Sequence, residues 1–442
     1  MKKIILPEDV KRLLNELTSN GFEAFIVGGC VRDSLMGNKP HDYDITTNAS
    51  VDQMKECFRN YRLIETGVKH GTLTVALNHN NYEITTYRID SEYEDHRHPD
   101  SVTFTADLKE DLARRDFTVN AMAYNEESGL IDLYDGQKDL KAGIIRCVGD
   151  PEKRFEEDAL RILRALRFAS RFSFTIEENT EKALFEKAPL LSYVSIERIQ
   201  NEFTEILLSE NADHYLDRYI DVICVFLPEL EIMLNFDQNN IHHNLDLWHH
   251  TLSVVRHCNP DKALRWAALL HDLGKYYTVN IGSDNQYHFF NHPEVSAKKT
   301  LYILKRMKMD TRTTNEIYYY VLYHDYPITS KRTVKRLLNC MDYDHLYQLV
   351  NLKLADNLSQ SPQFFRGEKY FTDMINLINE VRDNNEAYRV TDLAVNGQDL
   401  MEFGYRGQEI GNKLTELLEL VVNEEITNDR ETLMWYLSSI SD

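Results

Sequence analysis

Residues 28–44, GGCVRDSLMGNKPHDYD, set two adjacent glycines ahead of an Arg-Asp pair, Arg32 and Asp33, and close on two aspartates, Asp42 and Asp44, separated by one tyrosine. In a strand, side chains two apart project from the same face. An extended DYDITT therefore makes Asp42 and Asp44 neighbours and turns Tyr43 and Ile45 to the core. Like charges held that close repel, and a divalent cation is the usual remedy. Mg²⁺ prefers a few carboxylates plus the phosphate oxygens of a substrate. Upstream, Gly28 and Gly29 end the apolar run FEAFIVGG, where backbone N–H groups can approach a triphosphate and Arg32 can add positive charge. Alone, a Gly-Gly turn is commonplace and an Asp-x-Asp pair is an ordinary solvated turn or surface strand. The order strand, GG, RD, then DxD on the next strand is the specific signal, and it points to a nucleotide and metal site.

At 442 residues the chain exceeds one ordinary core and suggests roughly three domains or more. Hydrophobic residues are 43% of it, with no apolar run near the roughly 18 residues of a membrane span, so a soluble protein with no membrane partner is expected. The start, MKKIILPEDVKRLL, reads as a first helix rather than a signal peptide. Six cysteines, far apart and without a CxxC pair, fit a reducing cytoplasm and argue against a cysteine zinc site or disulfide framework. The net charge of −21 is opposite to the basic character usual for nucleic-acid binding, so any such function requires a local positive surface.

From about 6 to 145 helix and strand signals mix. PEDVKRLLNELTSNG reads as a helix, FEAFIVGG as a buried strand, DYDITT as a second, and GTLTVALNHNNYEITTYR as a hairpin turning at HNN. Beyond about 150 strand signals stop. FEEDALRILRALRFASRF, KALRWAALLHDLGK, TVKRLLNCMDYDHLYQLVNLKLAD and GNKLTELLELVVN carry apolar residues at helical spacing. An α/β head followed by a long all-helical body is expected.

GGCVRDSLMGNKPHDYDITT resembles the signature of polymerase-β-like nucleotidyltransferases, specifically the class II tRNA nucleotidyltransferases or CCA-adding enzymes, with bacterial poly(A) polymerases as relatives. DLARRDFTVNAMAYN (111–125) is similar to that family's ribose-selecting motif. FEEDALRILRALRFASRF (155–172) resembles its base-reading motif, SIERIQNEF (195–203) its neck, and LAVNGQDLMEFGYRGQEIGNKLTELLELV (393–421) its tail. These motifs cover nearly the whole chain in the expected order.

Asp158 and Arg161, three apart on a helix, can present an acceptor and fixed donors side by side; the same spacing also makes an ordinary intrahelical ion pair. The resemblance implies that this pair reads CTP and ATP. Arg161, Arg164, Arg167 and Arg171 fall within about a third of the helix circumference with no acid between them, the local basic surface that the net charge denies. Arg114 and Arg115 are expected on phosphate, and Asp116 with Asn120 on ribose hydroxyls, although residues four apart can also cap a helix. Glu83 is a candidate third carboxylate near the metals. The charged stretch 90–101 reads as a mobile loop. It resembles the flexible loop of enzymes that switch from C to A addition, which favours full CCA addition.

LWHHTLSVV, LLHDLGK, FFNHPEVSA and LKLADN carry histidines and aspartates in the order of an HD-domain metal site. Adjacent His271 and Asp272 at a helix end can both reach one ion, and imidazole with carboxylate suits Mn, Ni, Zn or Fe. The resemblance assigns His250, His271, Asp272 and Asp356 as ligands, with His292 behind them or on a second ion. His324-Asp325 repeats the dipeptide without Leu-Gly-Lys and reads as a surface or supporting pair. Some relatives hydrolyse phosphoesters with such domains, and others keep them as scaffold.

The expected fold class is α+β: a nucleotidyltransferase head over 1–145, then an elongated all-α series of a base-recognising neck (146–230), HD body (231–365) and tRNA-binding tail (366–442). The resemblance implies template-independent addition of CCA to the tRNA 3′ end from CTP and ATP, with Asp42 and Asp44 catalytic on Mg²⁺, in a cytoplasmic monomer or homodimer. The alternatives are A-only or CC-only addition, a poly(A) polymerase, and an HD phosphohydrolase.

Overall fold

The computed structural model describes residues 4–90 and 102–439. The loop expected over 90–101 lies, apart from Asp90, outside the described residues. The chain divides into two compact units, 1–228 and 229–442.

The first unit opens with helix α1 (Glu8–Ser19), which buries Val10, Leu13, Leu14 and Leu17 along one stripe. Its sheet holds β1 (Ala24–Val27), β2 (Asp44–Thr47), β3 (Arg62–Ile64), β4 (Thr72–Leu77), β5 (Asn80–Thr86), β8 (Met122–Asn125) and β9 (Gly129–Asp132), in the order β3-β4-β5-β2-β1-β8-β9. A separate pair, β6 (Arg88–Asp90) and β7 (Val102–Phe104), stands beside it. Strand β1 lies inside the sheet, antiparallel to both β2 and β8, and buried at all four positions. Ala24 and Ile26 enter a core with α1, Ile45 and Ile84; Phe25 and Val27 pack on the other face with Tyr87 and Leu112. Strand β2 joins β5 in parallel, so the sheet is mixed. The β4–β5 hairpin turns at Asn78-His79, one residue earlier than the sequence suggests. Both residues have positive φ, as a two-residue turn with the right twist requires, and asparagine tolerates that region.

Helices α2 (Gly29–Met36), α3 (Val51–Cys57), α4 (Leu108–Ala113) and α5 (Gly136–Ala142) complete the head. After them come α6 (Pro151–Glu157), α7 (Leu160–Phe172), α8 (Glu178–Lys187), α9 (Ile196–Leu207), α10 (Ala212–Arg218) and α11 (Ile220–Cys224). The expected single helix over 155–172 is broken. Asp158 has extended backbone (φ −142, ψ 100), ending α6 and leaving α7 to begin at Leu160.

Among its described residues the second unit is helical apart from one two-residue strand pair, 280–281 with 287–288. It runs through α12 (Leu247–His257), α13 (Lys262–Leu270), α14 (Lys275–Thr278), α15 (His292–Arg306), α16 (Thr311–Tyr323), α17 (Lys331–Leu338), α18 (Tyr343–Leu358), α19 (Glu368–Asp383), α20 (Gly397–Glu402), α21 (Gln408–Val422) and α22 (Arg430–Ser439). The last helices close on their own apolar cluster of Leu400, Leu417, Val421, Leu433 and Leu437. The α+β class is as expected. Among the described residues no helix is long and apolar enough to cross a membrane.

Candidate functional site

The register of two strands assembles the head site. Val27, the last residue of β1, pairs with Asp44, the first of β2. The glycine turn that follows Val27 is thereby set beside the aspartates. Gly28 takes φ +75, a conformation open to glycine, and a Cβ there would stand 3.1 Å from Arg115 Nη1. Strand β2 starts at Asp44, so Asp42 lies just ahead of it rather than inside it; Ile45 is buried and Tyr43 packs against the core, as the alternation requires.

Asp44 keeps one side open to solvent while protein crowds the rest. That crowding, and then the charge of Asp42, raises its carboxyl; Arg115 opposes the rise, and Glu83 adds to it. Glu83 is exposed on β5, one residue ahead of Ile84, which pairs with Ile45, so it shares the face of Asp44. Crowded acids opposed by Arg115 suit a divalent cation.

Arg114 and Arg115 are aimed by a residue that sequence reasoning passed over. Asp111, fully buried, accepts from Arg114 Nε and Nη2 at 3.0 and 2.8 Å and from Arg115 Nη2 at 3.3 Å. Burial works against its charge, but the two arginines outweigh it and keep the carboxyl below its usual range. The signal was available in DLARRD: an acid three and four residues before two arginines shares their helix face.

A polar chain extends from the glycine turn into the helices. Arg32, only 4% exposed, donates to Asp33 at 2.8 Å and to Asn120 Oδ1 at 2.6 Å, with its guanidinium 5.0 Å and 4.8 Å from the Phe168 and Phe172 rings. Asn120 Nδ2 donates to Asp116 Oδ1 at 3.1 Å across the short turn Thr118–Asn120. Asp116 Oδ2 accepts from Arg164 Nε and Nη2 at 2.9 and 2.6 Å. Burial opposes the Asp116 charge, yet Arg164 and Asn120 bring its pKa down to about 2.

Two expectations for α7 are corrected. Asp158 and Arg161 do not share a helix. Asp158 Oδ1 accepts from the Leu160 backbone N–H at 3.1 Å, and Oδ2 from Arg198 Nη2 at 2.8 Å. Asp158 sits where the first N–H groups of α7 lack intrahelical acceptors, and that demand draws it out of the helix. Arg161 instead pairs with Glu157 at 2.7 Å and reaches the Arg154 and Arg114 carbonyls. Nor is the arginine series bare of acids. Arg164 holds Asp116, and Arg167 holds Glu202 of α9 at 3.0 Å. These acids come from other segments, which a count along one helix does not see. Phe168 lies under both guanidiniums at 5.3 and 4.6 Å.

The second unit gathers the other predicted residues. His250 Nε2 lies 3.3 Å from Asp272 Oδ2 and 3.1 Å from Asp356 Oδ1; His271 Nε2 lies 3.2 Å from Asp272 Oδ2. His292 Nε2 is 3.2 Å and His324 Nε2 3.7 Å from Asp272 Oδ1. His324 is thus no surface residue. It is 3% exposed at the end of α16, and the Lys353 ammonium, donating to its carbonyl at 2.5 Å, holds that end inward. Lys275 Nζ approaches Asp272 Oδ2 at 2.7 Å and donates to Gln238 at 2.9 Å. Burial resists a charge on His250, but the Asp272 and Asp356 carboxylates bring its pKa up to about 9. Both Asp272 oxygens and the Nε2 atoms of His250 and His271 are buried without an aligned hydrogen-bond partner. This donor set fits a transition metal.

The chain matches the family model described as "Poly A polymerase head domain" over residues 24–146, and "Probable RNA and SrmB- binding site of polymerase A" over 173–233. It matches a model of tRNA nucleotidyltransferase domain 2 over 287–437. The stretch between the last two carries His250, His271 and Asp272. A CCA-adding enzyme of Lactobacillus helveticus is 32% identical over 439 residues, 97% of this chain and 96% of that protein. One of Leuconostoc mesenteroides is 46% identical over 232 residues, so the chain spans 57% of that relative's length. Among solved structures, the Bacillus stearothermophilus CCA-adding enzyme in complex with CTP is 26% identical with a TM-score of 0.73, covering 99% of this chain and 98% of that one. The Thermotoga maritima CCA-adding enzyme complexed with tRNA_CCA, at 22% identity and a TM-score of 0.61, covers 99% of this chain and 97% of that one and shares the fold. Matched by such a relative over almost its whole length, the chain belongs to the family of CCA-adding enzymes.

Proposed function

We propose that this chain adds CMP, CMP and then AMP to the 3′ end of tRNA, taking CTP and ATP without a nucleic-acid template and releasing pyrophosphate. The observation that carries it is the Val27–Asp44 pairing, which sets the glycine turn, Arg115 and the two aspartates at one end of the central strands. Kinship with CCA-adding enzymes supports CCA addition, and the CTP held by the 26% identical Bacillus stearothermophilus enzyme supports CTP as a substrate.

Asp42 and Asp44 hold Mg²⁺, with Glu83 on the same face as a further carboxylate. Mg²⁺, when bound, supplies positive charge for the attacking 3′-oxygen and the departing pyrophosphate. Gly28 and Gly29 let backbone N–H groups close on the triphosphate, and Arg114 and Arg115, aimed by Asp111, neutralise its oxygens. Arg32, beneath Asn120, carries positive charge from within the fold and keeps the ribose-facing pair Asp116 and Asn120 in place. Asp158 and Arg161 read the base edge, with Arg164 and Arg167 beside them. Glu157 and Arg198 hold the two readers separately, so reading depends on two helices keeping their spacing.

Residues 1–145 form the catalytic head, 146–230 the base-reading neck, 231–365 the HD body and 366–442 the tRNA-binding tail. The six free cysteines agree with a reducing cytoplasm, where this chain works as a monomer or homodimer. In the body, His250, His271, Asp272 and Asp356 hold a transition metal, and the gathering of imidazole and carboxylate ligand atoms in one buried cluster favours a second, phosphoester-hydrolysing site there.

The test supplies purified protein and Mg²⁺ with tRNA transcripts ending at the discriminator base, at C and at CC, with CTP, ATP or both, and resolves products at single-nucleotide length. Growth of all three to CCA and no further is expected. Arrest after CC, or extension of the CC transcript alone, would replace full addition by partial addition; long A tracts on generic RNA would make it a poly(A) polymerase.

A further inference from the structure

At the C-terminal end of α2 the head holds a cavity of about 560 Å³, the size of an ordinary small-molecule site. Leu35 and Met36 of α2, Tyr124 of β8, Leu130 of β9 and Leu140 of α5 line it. Leu35, Leu130 and Leu140 join the neighbouring core only in part and stay half-buried, so they show carbon to the cavity. The polar groups among its walls are already engaged. The Tyr124 hydroxyl donates to the Ile4 carbonyl at 3.3 Å, and Gln137 Nε2 donates to Asp132 Oδ2 at 3.4 Å. An occupant therefore needs an apolar body, because a polar one would lose its hydrogen bonds to water without replacement. Two charged residues also belong to the lining, Glu126 and Lys141. Glu126 faces Lys11 at 3.6 Å, which leaves the exposed Lys141 ammonium as the charge a ligand meets. A carboxylate at one end of an apolar body complements both features.

The walls of this cavity are also supports of the nucleotide site. Helix α2 begins at Gly29 and carries Arg32, which donates to Asn120 Oδ1 at 2.6 Å. Helix α5 carries Asp139, buried beside Leu140, whose Oδ2 accepts from Thr118 Oγ1 at 2.7 Å. Gly136 opens α5 so close to the turn Thr118–Asn120 that a Cβ there would collide with the Thr118 carbonyl. Strand β8 supplies the Met122 carbonyl that accepts from the Gly28 N–H at 3.3 Å. Thus α2, α5 and β8 each line the cavity and hold either the glycine turn or the segment that carries Asn120. In a close-packed interior a shift of Leu35 or Leu140 is passed on rather than absorbed.

We propose that this cavity is a regulatory site for a small amphipathic carboxylate, its apolar body between α2, β8, β9 and α5 and its carboxylate on Lys141, and that filling it tightens CTP binding by fixing the walls. The binding step stands apart from the reaction proposed above; the effect on CTP rests on it. Linkage makes the effect reciprocal, so CTP must tighten the carboxylate by the same factor by which the carboxylate tightens CTP.

Octanoate is the probe, titrated calorimetrically into the full chain with and without CTP, against 1-octanol and octylamine. The expected result is one octanoate per chain, weaker binding of octanol, none of octylamine, and mutual tightening with CTP of about 5-fold. Leu140→Trp fills the cavity and should abolish octanoate binding, with folding checked by circular dichroism. Lys141→Glu should weaken octanoate about 10-fold, the loss of one charged hydrogen bond, and leave CMP incorporation without octanoate unchanged. Octanoate bound with unaltered affinity by either variant overturns the site. Octanoate bound only after Lys2 and Lys3 are deleted gives the cavity to the chain's own N-terminus and overturns it too. Binding that leaves CTP affinity unchanged refutes the regulation and keeps the site. Octanoate bound by a chain that takes no CTP also keeps the site, and overturns the nucleotide reading instead.

Discussion

Arg164 donates both Nε and Nη2 to a single oxygen of Asp116, at 2.9 and 2.6 Å, tying α7 to the segment that carries Arg114 and Arg115. Removing the arginine would strand a buried carboxylate. Arg164→Ala is expected to cost about 3–5 kcal/mol in chemical denaturation, the range for breaking one partner of a buried pair. Arg164→Lys should recover part of this, since it keeps the charge and loses the fork. Equal losses in the two variants would show that geometry alone matters.

The same pair predicts an acid limit. The folded Asp116 carboxyl titrates near 2, below its ordinary value of 3.8. A carboxyl with a depressed folded pKa stabilises the fold above its unfolded value, and the contribution is lost as pH falls through the folded one. About 2 kcal/mol should disappear between pH ~4 and ~2. Asp116→Asn should flatten that part of the stability profile measured by denaturant titration; an unchanged slope would assign acid sensitivity elsewhere.

What was legible in the sequence follows from distance along the chain. The GG, RD and DxD motifs are local, so the site around Asp42 and Asp44 could be placed from spacing alone. The α+β division was equally plain in the loss of strand signals after 150. Pairings between distant segments were not. Glu202 under Arg167 and Arg198 on Asp158 belong to a helix some 30 to 40 residues away. The break at Asp158 escaped periodicity because the apolar spacing continues across it, while the capping demand of α7 decides the backbone. For His324-Asp325 the choice between a surface and a supporting pair stayed open because the burial of His324 comes from the packing of α13 against α16, which leaves no local signal.

Asp44 should be indispensable and sensitive to its charge. Asp44→Asn keeps the shape but removes the charge that crowding and Asp42 already strain, and CMP incorporation should fall about 10³-fold or more, as it should for Asp42→Ala. Glu83→Gln, on the same face but exposed, should cost far less. Single-turnover assays with a saturating transcript measure this directly, and comparable losses at all three acids would make Glu83 a full ligand.

Asp111 should act through the arginines it aims. Asp111→Asn frees Arg114 and Arg115 from their shared carboxylate and should raise the KM for CTP and ATP about 10-fold with a smaller change in kcat, because the loss is of positioning before the chemical step. A fall in kcat with KM unchanged would mean that the arginines act only in the transition state.

Base choice should depend on Asp158 and, one step removed, on Arg198. Asp158→Ala deletes the carboxylate that both caps α7 and holds Arg198, so discrimination between correct and incorrect nucleotides should weaken while the head remains folded. Arg198→Ala leaves the carboxylate in place but releases its second oxygen, and should reduce selectivity less. Incorporation of CTP, ATP, UTP and GTP onto the transcript ending at C separates the cases. If Asp158→Ala keeps its selectivity and loses only stability, Asp158 is a helix cap and nothing more. If Arg198→Ala is the more promiscuous of the two, the guanidinium, and not the carboxylate, faces the base.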